Sequence, residues 1–311
     1  MSCETGDTAM AGLRAGGKSA IAAALADLER RPEAPEVVAL LDAAWRAPRA
    51  HVIGVTGPPG VGKSTLLGVL IAALRKQGST VGVIAVDPSS RKSGGALLGD
   101  RVRLATDAND EGVFVRSMAA RDRLGGLAEL TVAAMVIMRA AYDVVMIETV
   151  GVGQSETDVT GAADTVLFCV QPGSGDSLQF MKSGIVEIPD IIAVTKGDLG
   201  APAARARGDV VGALSLGQTD REGWTVPVLT VSALERRGIA ELLAAIAGHR
   251  AWLEVGGQLA ARRHDQGEAW LEQAVRDRFG KEGLRRAGQL SLSSGESPFQ
   301  RLKTVNAILS S

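Results

Sequence analysis

Between residues 13 and 49, apolar side chains recur at spacings of three and four. Leu25, Leu28, Val37, Val38, Leu40, Leu41 and Trp45 stand in an Ala-rich stretch. That period predicts amphipathic helix, and Pro32 and Pro35 divide it into two helices. From His51 the pattern changes. HVIGVTG is a short apolar run that reads as a strand, and GKSTLLGVLIAALRKQG follows as a helix stopped by Gly78. TVGVIAVD, YDVVMIET, DTVLFCVQPG, DIIAVTKGD and VPVLTVSAL read as further strands. Gly125 to Ala141 and GIAELLAAIAGHRAWLE read as helices. Near-continuous Val/Ile strands alternating with helices predict an α/β fold, a mostly parallel sheet covered by helices on both faces. From about Gly256 the chain is helical and charged, and it ends in a Ser/Gly-rich piece, GQLSLSSGESPF. The expected organisation is a helical extension over 1–50, an α/β domain over 51–254, and a helical arm with a Ser-rich tail over 255–311.

Composition narrows the function classes. The 311 residues carry 34 Lys plus Arg against 35 Asp plus Glu, a net charge of -1. Such a balance gives no electrostatic case for a nucleic-acid partner. The two cysteines, Cys3 and Cys169, stand far apart and form neither a disulfide framework nor a metal cluster, which points to a reducing, cytoplasmic compartment. No apolar run approaches the ~20 residues of a membrane span, so no membrane partner is expected. The first residues lack the apolar core of a secretory signal.

The strongest local signal is VIGVTGPPGVGKST. Gly57 to Ser64 (Gly57, Pro58, Pro59, Gly60, Val61, Gly62, Lys63, Ser64) fits G-x-x-x-x-G-K-[ST], directly after a strand and directly before a helix. The glycines let backbone N–H groups turn toward phosphate oxygens, and the helix N-terminus adds its dipole. Lys63 reaches β/γ-phosphates, Ser64 offers a hydroxyl to Mg²⁺, and Thr65 bonds a phosphate further back. A nucleoside triphosphatase also needs carboxylates around the metal. Asp87 ends one strand, Asp100 lies in the loop RKSGGALLGDRVR, and Glu148 ends another strand. Glu148-x-x-Gly151 has the form of the acid-x-x-Gly switch of GTPases. Arg101 and Arg103 either solvate their loop or neutralise transition-state charge.

VTGPPGVGKST, AVDPSSRKSGGALLGDRVR, VMIETVGVGQSE, QPGSGDSLQFMKSGI and TKGD occur in the order and spacing of the MeaB/ArgK/MMAA family, and over about residues 13 to 280 the chain resembles its members. These are GTPases that act as chaperones of adenosylcobalamin-dependent acyl-CoA mutases, chiefly methylmalonyl-CoA mutase. The resemblance implies a P-loop G domain of the SIMIBI type over 51–254, an N-terminal helical segment, and a C-terminal dimerisation arm that includes AARRHDQGEAW. It implies GTP/GDP and Mg²⁺ as ligands, a homodimer, and a mutase partner. Carried over residue by residue, Lys63, Ser64 and Thr65 bind phosphates and the metal, and Asp87, Asp100 and Glu148 surround it. Asp87 is the better water-orienting residue, although a role in the metal shell alone is nearly as good a reading. Gln154 stands three residues past Gly151 and does not match a water-orienting Gln. The implied switch loops run from Ser89 to Arg103 and from Glu148 to Gln154. A third loop, Pro172 to Lys182, offers Asp176 and Lys182 as charged contacts to the mutase.

The base-reading corner carries over too. In TKGD, Asp198 accepts from guanine N1–H and N2–H₂, and Lys196 lays its stem along the base. In VSALERRGI the Ala233 N–H meets O6 and Ser232 braces Asp198, with Leu234 next in the loop. Thr195 departs from the usual Asn, keeping a hydroxyl and losing the amide. Residues 289–311 do not closely resemble the family. Two competing readings remain. One is a kinase for a small acceptor or transport protein. The other is a nickel metallochaperone GTPase, disfavoured because His51, His249 and His264 are scattered and soft-metal sites need clustered His/Cys.

Overall fold

The structure is a computed structural model and describes residues 2–87, 109–119, 129–149, 158–173, 188–216 and 223–310. Two compact units divide the chain: residues 51–127 with 144–259, and residues 1–50 with 128–143 and 260–311.

The first unit is a seven-stranded sheet. Its strands are β1 (His51–Thr56), β2 (Val81–Asp87), β3 (Val113–Ala119), β4 (Val144–Glu148), β5 (Thr165–Val170), β6 (Ile191–Val194) and β7 (Val228–Thr230). The order is β3-β2-β4-β1-β5-β6-β7, and every pairing is parallel. Alternate side chains take opposite faces. Ile53, Val55, Met146, Leu167, Cys169 and Ile191 form one core with Leu66, Leu67 and Leu70 of α4 (Lys63–Lys76) and Leu242 and Ile246 of α7 (Ile239–Val255). Phe168, Val170, Ile192 and Val194 turn the other way and pack on Val210 and Leu214 of α6 (Ala201–Leu216). With β1 central and all strands parallel, the loops after β1, β4 and β6 emerge on one edge, where open α/β sheets bind ligands.

The second unit is helical: α1 (Ser2–Ala15), α2 (Gly17–Arg30), α3 (Pro35–Arg46), α5 (Glu129–Ala141), α8 (Gln258–Ala287) and α9 (Pro298–Leu309). α5 belongs here, although it lies between two strands of the sheet in sequence. Leu271, Ala274 and Val275 of α8 pack on Leu302, Val305 and Leu309 of α9. Trp45 and Trp270 both contact the Phe299 ring. The guanidinium of Arg139, 2% exposed, lies 5.1 Å from the Trp45 ring centroid.

Several elements differ from the sequence reading. A helix precedes residue 16, so three helices stand before β1; the break falls at Gly17, whose φ of 58° few other residues adopt. The strand β3 and the helix α6 were not expected. The Ser-rich end holds α9, capped at Ser297, whose hydroxyl accepts from the Phe299 N–H at 3.2 Å, with Pro298 opening the helix. The helix α8 is broken at Gly280 (φ 67°, ψ -165°).

Candidate nucleotide site

The turn after β1 is built by backbone geometry. Gly57, Gly60 and Gly62 have φ of 136°, 73° and 97°. Gly57 also runs so close to β5 that a Cβ there would lie 2.2 Å from the Cys169 carbonyl oxygen. Gly62 precedes α4, whose first bond runs from the Leu66 N–H to the Gly62 carbonyl. Lys63 is buried, and its ammonium donates to the carbonyls of Gly57 (2.7 Å) and Pro58 (3.1 Å), inside the turn that Pro58, Pro59 and Val61 complete. Ser64 and Thr65 follow in the first turn of the helix.

Glu148 reaches this turn because β4 pairs with β1, with Val55 opposite Glu148. The Ser64 hydroxyl donates to Glu148 Oε1 at 2.6 Å. Thr149 fixes the chain just beyond: its N–H bonds Val55 O, and its hydroxyl bonds that of Thr56 at 2.9 Å. Asp87 closes β2 on the same sheet edge, two residues past Ala85, the partner of Glu148. Asp100 and Gly151 lie outside the described residues, as do Arg101, Arg103, Gln154, Asp176 and Lys182. Buried Cys169 stands beside this corner. Desolvation pushes its thiol up to about 12; Lys63 opposes the shift and Glu148 adds to it.

The second corner lies beyond β6. Thr195 Oγ lies 2.7 Å from Val61 O and 2.9 Å from Val170 O, so one hydroxyl proton serves two carbonyls. Lys196 adopts φ 54° and donates from Nζ to Gly60 O (3.0 Å) and to Gln171 Oε1 (2.5 Å). Ser232 is fully buried, accepts the Glu235 N–H at 3.1 Å and donates to Asp198 Oδ1 at 2.7 Å. That hydroxyl bond, then a backbone amide and the charges of Arg237 and Lys196, hold the exposed Asp198 carboxyl below the usual carboxylate range. Ser232 and Arg237 pair through both backbone groups, closing a small hairpin around Ala233 and Leu234. Leu234 is 84% exposed. Arg237 Nη2 also donates to Gly197 O at 2.8 Å. The structure thus gathers Gly57 to Thr65 with Glu148, and Thr195, Lys196 and Asp198 with Ser232. Gln171 and Arg237 join them without having been singled out from sequence.

A glycine turn leading into a helix after the central strand, with a Thr-Lys-x-Asp loop two strands away, defines a P-loop GTPase. The chain belongs to the family described as methylmalonyl Co-A mutase-associated GTPase MeaB, whose model matches residues 20–286. A putative GTPase of Pyrococcus abyssi is 45% identical over 228 residues, 73% of this chain and 70% of that protein. A mouse protein described as methylmalonic aciduria type A homolog, mitochondrial, is 37% identical over 233 residues, 74% of this chain and 56% of that protein. Among solved structures, a LAO/AO transport system kinase matches with a TM-score of 0.71 at 30% identity, over 99% of this chain and 98% of that one. Among the described residues, no helix is long and apolar enough to cross a membrane.

Proposed function

We propose that the chain hydrolyses GTP with Mg²⁺ and uses its nucleotide state to serve an adenosylcobalamin-dependent acyl-CoA mutase as a chaperone, gating cofactor loading and protecting or reactivating the mutase. The observation that carries the reading is the bond from the Ser64 hydroxyl to Glu148 Oε1 at 2.6 Å on the phosphate turn, in a chain of the MeaB family. This is a hard, all-oxygen donor pair, of the kind that suits Mg²⁺. Ser64 and Glu148, with Asp87 and Asp100, would hold the ion, which when bound neutralises charge on the β- and γ-phosphate oxygens.

The other roles belong to the protein. Lys63 exchanges its bonds to Gly57 O and Pro58 O for phosphate oxygens. The backbone N–H groups of the turn and of Ser64 and Thr65 surround the phosphates. Asp87 orients the attacking water, and the Gly151 N–H senses the γ-phosphate. Asp198 reads guanine N1–H and N2–H₂, Lys196 covers the base, the Ala233 N–H meets O6, Leu234 lies beside it, and Thr195 and Ser232 brace the two loops. Asp100 and Gly151 complete the site, and the mutase accelerates a turnover that is slow without it. The protein acts in the cytoplasm as a homodimer, with the dimer contact in residues 255–311.

Phosphate release and mutase pull-down test the reading together. Purified protein is expected to retain a cobalamin mutase and to hydrolyse GTP faster in its presence. Transfer of γ-phosphate to an acceptor protein, with no binding to or effect on any such mutase, favours the kinase reading that the LAO/AO match keeps open. The histidines give a nickel carrier little to use. His51 and His249 both bond Thr165 in the buried sheet, and His264 pairs with Glu268 at 3.2 Å.

A further inference from the structure

At the opposite edge of the sheet from the phosphate turn, where the strands begin, five buried polar side chains form a line. His51 Nε2 lies 2.7 Å from Thr165 Oγ, and Thr165 Oγ lies 2.7 Å from His249 Nδ1. The outer ring nitrogens each face a carboxylate: His51 Nδ1 is 3.8 Å from Asp164 Oδ2, and His249 Nε2 is 3.5 Å from Asp190 Oδ1. None of the five is more than 3% exposed. The two aspartates repeat one device. Asp164 bonds both backbone groups of Val52, and Asp190 both backbone groups of Val166, each with its own N–H and its Oδ2. The carboxylates are therefore fixed by the strands, and the outer imidazole nitrogens lie within 4 Å of them, at 3.8 and 3.5 Å.

Proton counting restricts what this line can be. A threonine hydroxyl has one proton to donate. It donates to one ring and accepts from the other. If both imidazoles are neutral, the ring that donates to Thr165 must turn a bare nitrogen toward its aspartate. One added proton removes that conflict: each outer nitrogen then presents an N–H to a carboxylate, and Thr165 keeps one donor and one acceptor. A second added proton leaves the hydroxyl hydrogen without an acceptor on either ring. We infer that Asp164, His51, Thr165, His249 and Asp190 are a built proton-binding site that holds one imidazolium in the folded protein at neutral pH.

The charge rests on His249. Its carboxylate is the nearer of the two, and two indoles attend it: Trp224 at 4.7 Å and Trp252 at 5.4 Å between centroids. Indole faces attract cations, and Trp224 is itself anchored by its Nε1–H to Asp190 O at 2.9 Å. Among the described residues, the charged and titratable groups facing His249 include Asp190, before β6, and, through Thr165, His51 on β1 and Asp164, before β5. The linkage sign follows. A proton held more tightly folded than unfolded gives stability that is fully present below the unfolded histidine value, ~6.5, and is lost as pH rises through the folded value.

The test is ¹⁵N NMR of histidine-labelled full-length protein at pH 8, where histidines in the urea-unfolded chain are neutral. We expect one buried ring with the imidazolium pattern and one neutral ring. Tryptophan emission should rise as that proton is lost at higher pH, since imidazolium quenches indole. Thr165→Val should lose the imidazolium signal at pH 8, and Thr165→Ser should keep it. Two neutral buried rings in the wild-type protein, or a Thr165→Val signal unchanged from wild type, would overturn the inference. If Thr165→Val does not fold, the wild-type pattern alone decides.

Discussion

The Thr195 hydroxyl lies 2.7 Å from the Val61 carbonyl although 134 residues separate the two in the chain. The same oxygen lies 2.9 Å from Val170 O, so Thr195 ties the phosphate turn, the end of β5 and the base-reading loop together. The Asn-Lys-x-Asp guanine-reading motif that this loop resembles has Asn here, and the single hydroxyl replaces the brace without its amide. Thr195→Val keeps the shape and removes the donor; Val170 O keeps the Thr195 N–H, while the Val61 carbonyl loses this bond at ~1–3 kcal/mol. We expect weaker GDP binding, by ~5-fold or more, with guanine still preferred over adenine because Asp198 is untouched. Calorimetric titration with GDP and ADP checks both statements, and equal affinities in the wild-type protein would sink the assignment of this loop to guanine.

At Gly57 no side chain fits. Its φ of 136° is strained for any L-residue, and a Cβ would press within 2.2 Å of Cys169 O, a backbone atom that cannot swing aside. Gly57→Ala should lose ~1–3 kcal/mol from the backbone conformation alone, with more from the clash, measured by urea denaturation. Gly60→Ala, with nothing within 4 Å of its Cβ, carries only the conformational part. A Gly57→Ala variant as stable as Gly60→Ala would contradict the packing argument.

How far the sequence was legible depended on whether the signal was local. The phosphate turn is eight adjacent residues between a strand and a helix, and Ser232 follows its strand on schedule, so both could be read. The strand β3 could not. It is an edge strand paired only to β2, and Arg116 and Ser117 sit half-exposed in its middle, which blurs any apolar run. The helix α6 carries Gly208 and Gly212 in its interior, both poor helix signals. The helix α9 had a readable start in Ser297-Pro298, but the serines before it suggested a loose tail. Gln171 and Arg237 act through bonds to residues 25 and 40 positions away, and nothing in the sequence pattern encodes that reach.

Cys169 should be chemically silent in the folded protein. Burial removes solvent from the thiolate, and the thiol is pushed up to about 12, so at pH 8 almost none is ionised. Iodoacetamide at pH 8 is expected to leave the Cys169 peptide unmodified under native conditions and to alkylate it fully in urea, as read by peptide mass spectrometry. Native labelling at the unfolded rate would show that β5 opens next to the phosphate turn.

Arg237 holds the base-reading loop from the side that Ser232 does not. Its Nη2 donates to Gly197 O at 2.8 Å, and its Nη1 contacts Glu235 at 3.0 Å. A hydrogen bond from a charged donor is worth ~1.5–3 kcal/mol, less here because the side chain is 60% exposed. Arg237→Met should raise the GDP dissociation constant by ~3- to 10-fold with little change in melting temperature, and Arg237→Lys should recover part of it. Equal loss of affinity for GDP and of thermal stability would mean that Arg237 supports the fold and not the loop.

Ser232 and Asp198 give a prediction whose sign is fixed by the proton. Guanine N1–H and N2–H₂ need an ionised acceptor, and Asp198 is kept ionised below the usual carboxylate range, first by the Ser232 hydroxyl. A depressed carboxyl contributes above its unfolded value and fails as pH falls through its folded value. Ser232→Ala removes the first cause, so the acid limb of GDP binding should move to higher pH, toward the ordinary aspartate value of ~3.9. Arg237 and Lys196 still act on Asp198 in that variant, so the shift is partial. Fluorescence titration with a labelled GDP from pH 7 downward, in wild type and Ser232→Ala, gives two curves that, each normalised to its affinity at neutrality, should part on the acid side. Superimposed curves would mean that the hydroxyl orients Asp198 without setting its charge.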